Sequence, residues 1–239
     1  AVGMEADLGF LGGAVLDAAA IIGARVEPWL LSAVTSAEAY AAEQCLTIGV
    51  LRVQGDNLIF RHELARQIII EAISPHRRMV LHRLVLEALK SSLLARTNYA
   101  RLAHHAEALG DPEAVLTYAP AAAQQASIVS AHRTAAVLYA LALRFAEAAS
   151  TQRAELLELY AWECNLVGRP IEAIESRRSA IELWRAAGNP LKQGENLAHL
   201  ALRQRVLRMR LQARVAHRRD RRALFEQRGD GLRRGRMAL

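Results

Sequence analysis

The sequence predicts a mainly α-helical protein with one short β-hairpin near its front and a run of helical repeats behind it. Three observations carry this. Apolar residues make up 52% of the chain but aromatics only 5%, a balance weighted towards alanine, the best helix former and a poor strand former. Leucines and alanines recur at three- and four-residue spacing, the period of a helix with one buried face. The β-type runs Val50-Leu51-Arg52-Val53 and Asn57-Leu58-Ile59-Phe60 flank Gln54-Gly55-Asp56, which reads as a hairpin with glycine in its turn.

The elements follow in order. Residues 11–22 form an apolar helical stretch that Gly23 can close. Residues 27–34 read as a second short helix with Pro28 in its first turn. Ser36 can cap a third over 37–48, stopped by Gly49. After the hairpin, a helical pattern opens at His62, breaks near Ser74-Pro75 and resumes through Leu94. Three helices and then a two-stranded hairpin is the order of a winged helix, so residues 1–95 are expected to form a winged-helix-like domain.

Residues 96–200 read as helix throughout, with breaks at Gly110-Asp111-Pro112, Ser127 to Ser130, Ser150-Thr151, Gly168-Arg169-Pro170 and Gly188-Asn189-Pro190. The helices between them should be roughly 16–20 residues long and should pair as hairpins. A short repeat is visible at spacings of four and three: Val115, Ala119, Ala122; Ala135, Tyr139, Ala142; Ala173, Arg177, Ala180. It resembles the second helix of a tetratricopeptide repeat (TPR), with Gly168-x-x-x-Glu172-Ala173-Ile174 and Ala180 the best match. Irregular unit spacing makes the array TPR-like rather than a consensus set. The fold class is therefore mainly α: a winged-helix-like domain with a short β-hairpin, followed by an irregular TPR-like α-helical repeat array.

Charge sets the last 39 residues apart. Residues 201–239 hold thirteen Arg and no Lys against three acids, a net +10, leaving 18 basic against 21 acidic residues, a net −3, in residues 1–200. Arg203, Arg205, Arg208, Arg210 and Arg214 interleave with Val206, Leu207, Met209 and Leu211 without a clean apolar face, and beyond Gln227 the tail is Gly- and Arg-rich and expected to lack structure. A tail of Arg, Ala, Gly and Leu without lysine fits a shifted reading frame of GC-rich coding sequence or a truncated gene end. A basic arm that contacts nucleic acid and a solvated tail with no role are the other readings.

The residue patterns that chemistry requires are absent. The chain has two lysines, Lys90 and Lys192, and neither ends the Gly-x-x-x-x-Gly-Lys-Ser/Thr loop that cradles phosphates. There is no Gly-x-Ser-x-Gly elbow and no His-Glu-x-x-His pair. His76 and His82 are six apart and His104-His105 are adjacent, and neither spacing sets two imidazoles on one helix face, so no metal site is expected. Cys45 and Cys164 sit in apolar helical patterns and read as buried free thiols, fitting a reducing cytoplasm. No run approaches a membrane span and the N-terminus lacks the basic region of a secretory signal; a start at Ala-Val-Gly reads as the cut end of a longer protein.

In Phe60-Arg61-His62-Glu63-Leu64-Ala65-Arg66 a histidine leaves a strand and opens a helix, a place from which a side chain can reach out of its domain. Together with Leu16-Asp17-Ala18-Ala19-Ala20-Ile21-Ile22-Gly23 and Gly49-Val50-Leu51, this run resembles the winged-helix part of STAND-type ATPases, especially the large ATP-binding transcriptional regulators of the LuxR family. The repeats, notably Leu102-Ala103-His104-His105-Ala106-Glu107-Ala108 and Ala180-Ile181-Glu182-Leu183-Trp184, resemble the arm that follows in those regulators. The resemblance spans residues 12–200. It implies a fragment without the ATPase core or the DNA-binding helix-turn-helix, needing no cofactor itself, with ATP or ADP bound by the intact relative. It also implies that His62 contacts the phosphates of bound ADP there; in this chain, which lacks the nucleotide pocket, the residue's own pattern favours capping the next helix or bonding a backbone carbonyl. The helical array is expected to take a protein or small-molecule inducer.

The alternative is a stand-alone winged-helix DNA-binding protein using the basic tail. A DNA-reading third helix needs basic residues to meet phosphates, whereas the segment from Ser36 to Cys45 carries Glu38 and Glu43 and no base. Nucleic acid is then expected only at the Arg-rich tail. The missing phosphate loop generates a first prediction: the purified chain neither hydrolyses nor tightly binds ATP, and ATPase activity that disappears in His62→Ala would refute it.

Overall fold

The computed structural model describes residues 13–35, 45–47, 49–92 and 97–206, and in the tail 208–209, 212–214 and 218. The third-helix residues 36–44 and the tail beyond 218, on which several expectations fall, lie outside the described residues. Among the described residues no helix is long and apolar enough to cross a membrane. The chain divides into two compact units, one reaching Ser130 and including Ala140–Phe145, the other comprising Ala131–Tyr139 and the residues from Ala146 on.

In the first unit, helix α1 (13–22) ends at Gly23, whose N–H bonds the carbonyl of Ala19 at 3.3 Å. Strand β1 (Arg25–Val26), helix α2 (Pro28–Thr35) and a short helical stretch α3 (45–47) lead to the hairpin β2 (Leu51–Gln54) and β3 (Asn57–Phe60). The two-residue turn holds Gly55 at φ +57°, the left-handed region that glycine enters without strain. The sheet is antiparallel with order β1-β3-β2; Val26 pairs with Leu58 and Leu51 with Phe60, all four buried. β1 escapes sequence analysis because two residues leave no alternation to read.

Helix α4 (Glu63–Ala72) and helix α5 (Pro75–Ser91) come next. Ser74 caps α5 by accepting from the Arg77 N–H at 3.4 Å, and Pro75 occupies its first turn. α5 packs on α6 (Tyr99–Leu109), and α6 on α7 (Pro112–Ile128), so the first unit runs past residue 95. α8 (His132–Phe145) is shared between the units.

In the second unit α9 (Thr151–Leu166) and α10 (Pro170–Ala186) form a hairpin, followed by α11 (190–206). α6 and α8, with 11 and 14 residues, are shorter than expected. Three breaks share one solution. Gly110, Gly168 and Gly188 take φ between +64° and +79°, and the next residue's N–H reaches back five residues, Asp111 to Ala106, Arg169 to Cys164 and Asn189 to Trp184. These bonds are those of the Schellman motif, which satisfies the last carbonyls of a helix. Asp111 and Asn189 then cap the next helix through the N–H groups of Ala114 and Lys192.

All nine positions of the short sequence repeat are buried, Arg177 included. Ala173 of α10 packs against Ala161 and Cys164 of α9 and is 1% exposed; Ala180 is fully buried. Leucine fits at neither site without displacing the facing helix. Ala173→Leu and Ala180→Leu should each lower stability by about 1–3 kcal/mol in urea unfolding, and an unchanged midpoint in both would refute the packing phase.

Candidate functional site

Two histidine sites lie in the first unit. The first is the one picked out by sequence. His62 follows β3, takes extended backbone angles (φ −134°, ψ 128°) and stands at the N-cap of α4, where its carbonyl accepts from the Ala65 and Arg66 N–H groups. Its imidazole is exposed and makes no capping hydrogen bond, so the expected capping role is not the one adopted. Glu63 in the first turn of α4 is bonded by Arg66 at 2.5–3.0 Å, and the same guanidinium donates to the Ala20 carbonyl at 3.1 Å, tying α4 to α1. The Arg66 bonds hold the Glu63 carboxyl below its usual range. No residue of α4 is buried, and Leu64 and Ile68, one turn apart, are 69% and 61% exposed.

The second site was not found by reading the sequence. His82 lies on α5, and His104 and His105 on α6; the packing of these helices puts one ring nitrogen from each within 4.8 Å of the others. Spacing along a single helix cannot reveal this, because the partner helix supplies the second ligand set. The Nδ1 atoms of His82 and His105 are 2.9 Å apart, so one neutral ring donates to the other. Both rings are buried and His104 is exposed. Burial, the charge on His104 and then Arg78 push His82 down to about 4. Burial, His104, His82 and Arg101 push His105 down to about 3. His104 and His105 also line a cavity of about 550 Å³ with Arg25, Arg66 and Arg101. Arg101 is engaged there by Glu27 at 2.8 and 3.1 Å.

In the second unit, polar side chains join three helices. The Glu158 carboxylate of α9 accepts from Trp184 Nε1 of α10 at 2.5 Å and from Asn196 Nδ2 of α11 at 2.6 Å, with Lys192 Nζ at 3.4 Å. Arg177, 8% exposed, donates to Asn196 Oδ1 at 2.7 Å. Buried Glu163 meets His132 Nδ1 at 2.8 Å. Beside the Arg177–Asn196 pair lies a cavity of about 300 Å³ with Trp162, His199, Leu202 and Arg203 in its wall. Cys45 and Cys164 are buried, and burial raises both thiols, consistent with unreactive core positions.

The lowered histidine values yield a pH prediction. In the unfolded chain both rings titrate near 6.5, above their folded values, so on acidification the unfolded state takes up protons first. Stability is full above about pH 7 and falls as pH drops through 6.5 towards 4. Between pH 7 and 5 the two rings together should cost on the order of 3 kcal/mol. Urea unfolding with chelator present checks it: the pH slope should flatten in the His82→Phe, His105→Leu variant, and an unaltered slope would refute it.

No protein-family model and no curated protein matches this sequence. Among solved structures, a Signal Transduction ATPase with Numerous Domains (STAND) protein with a tetratricopeptide repeat sensor, from Pyrococcus horikoshii, is similar at a TM-score of 0.39 and 12% identity. The match covers 80% of this chain and 40% of that one, so the chain spans less than half of that protein's length. The likeness is too distant to transfer a function.

Proposed function

We propose that this chain is a non-catalytic regulatory and interaction segment of a STAND-type, LuxR-family-like transcriptional regulator. Its front part is read as a winged helix that holds a nucleotide-dependent closed state against an ATPase core, and its helical array as the surface that takes a protein or small-molecule inducer. The observation that carries the reading is the corner at β3 and α4: an exposed His62 beside exposed Leu64 and Ile68, on a helix with no buried residue. A surface helix normally turns its apolar residues inward; here they stand with a phosphate-capable imidazole on the outside, as a domain contact requires.

The winged-helix part of the reading is supported by the antiparallel strand order β1-β3-β2 and by the resemblance of residues 12–200. Paired helices build extended concave surfaces suited to ligands, and the cavity at Trp162, Arg177 and Arg203 offers apolar and cationic groups together. An inducer that binds one state of the array better than the other would bias the switch.

The test is the protein translated from the coding sequence on both sides of this segment, which should carry a phosphate-binding loop ahead of residue 1. In that protein His62→Ala should weaken ADP binding roughly tenfold, the loss of one charge-assisted hydrogen bond worth about 1.5 kcal/mol. Absence of the loop, or unchanged ADP affinity in the variant, would refute the reading.

A further inference from the structure

We infer that His82, His104 and His105 form a binding site for a borderline divalent transition metal ion of the Zn²⁺ or Co²⁺ class, with the three imidazoles as its protein ligands. The inference is independent of the regulatory reading above. Three ring nitrogens from two packed helices lie within 4.8 Å of one another, and among the described residues this is the one group of three such side chains so placed. Tetrahedral coordination with Zn–N bonds of about 2.0–2.1 Å sets ligand nitrogens roughly 3.3 Å apart. The Nδ1 atoms of His82 and His105 stand at 2.9 Å, so an ion entering between them requires a few tenths of an ångström of opening and replaces the shared proton. His104 is exposed and adjacent in sequence to His105, so its ring is free to swing in as the third ligand.

The donor set selects the ion. An all-imidazole site suits Zn²⁺, Co²⁺, Ni²⁺ and Cu²⁺, whereas Mg²⁺ and Ca²⁺ require oxygen ligands. The two buried ligands, His82 and His105, sit amid apolar packing, with Leu81, Val85, Leu102 and Ala106 all buried nearby in sequence. His104 and His105 also line the 550 Å³ cavity, so the fourth coordination position is reachable from solvent and would hold water or a small anion. The competing explanation is a metal-free hydrogen bond between two buried neutral rings with His104 a bystander, and it predicts no role for His104.

The experiment titrates Co²⁺ into the untagged, chelator-treated full chain and follows its visible d–d absorption, with Zn²⁺ as competitor. One equivalent should bind with a tetrahedral spectrum that Zn²⁺ abolishes, and Zn²⁺ should raise the melting temperature, because an ion bound only by the folded chain stabilises it. His104→Ala, at an exposed position that keeps the fold, should weaken Co²⁺ binding by at least about tenfold, since even outer-shell changes cost that much. His105→Gln should do the same. His76→Ala and His199→Ala should leave affinity unchanged. The inference is overturned if no saturable one-equivalent site appears, if His104→Ala binds Co²⁺ as the parent chain does, or if the His76 or His199 variant abolishes binding.

Discussion

The fold depends on alanine rows that let neighbouring helices approach closely. In α6 and α7 the buried positions include Ala103, Ala106, Ala114, Ala119, Ala122 and Ala123; in α9 and α10 they include Ala154, Ala161, Ala173 and Ala180. A methyl group fills the space between two backbones and loses no rotamer freedom on burial. Packing of this kind leaves little room to relax, because interiors are dense and transmit strain. It also fixes phase: each helix must begin where its alanines meet those of the previous one, and the repeated Schellman ends at Gly110, Gly168 and Gly188 set that start.

Alanine contacts alone specify a partner face weakly, since one methyl resembles another. Buried polar ties supply the missing discrimination. Glu158 gathers donors from α10 and α11, and Arg177 of α10 donates to Asn196 of α11. A slip of one helix by a residue would strand a carboxylate and a guanidinium away from water, each costing far more than a lost apolar contact. The His82–His105 pair has the same effect between α5 and α6.

Much of this was legible in the sequence. Breaks carrying Gly and Pro marked the ends of α6, α9 and α10, because a residue in the left-handed region and a residue without an N–H are local demands that any context must meet. The nine repeat positions, from Val115 to Ala180, came from periodicity, and their burial follows. The hairpin around Gly55 did too. What was hidden depends on packing between elements. β1 is too short to show alternation and exists because β3 offers it a partner. The histidine cluster needs two helices in register, so no spacing along either one reveals it. Arg177 holds a repeat position by its spacing, but the partner that lets an arginine stay buried there, Asn196, lies nineteen residues on and on another helix. His62 was found by its place between a strand and a helix, yet its exposure depends on how α4 sits against the sheet.

The small sheet has a consequence for the chain's behaviour in concentrated solution. β1 contributes two residues, so that edge offers only a stub of backbone for a fourth strand, and it opens with Arg25. At the opposite edge β2 is four residues long and places Arg52 and Gln54 in solvent. Short edges bearing charge and polar groups make poor templates for strand addition by a second molecule. Among the described residues the sheet therefore ends at three strands, and its short edges give a protein rich in alanine and leucine no ready nucleus there for cross-β fibres.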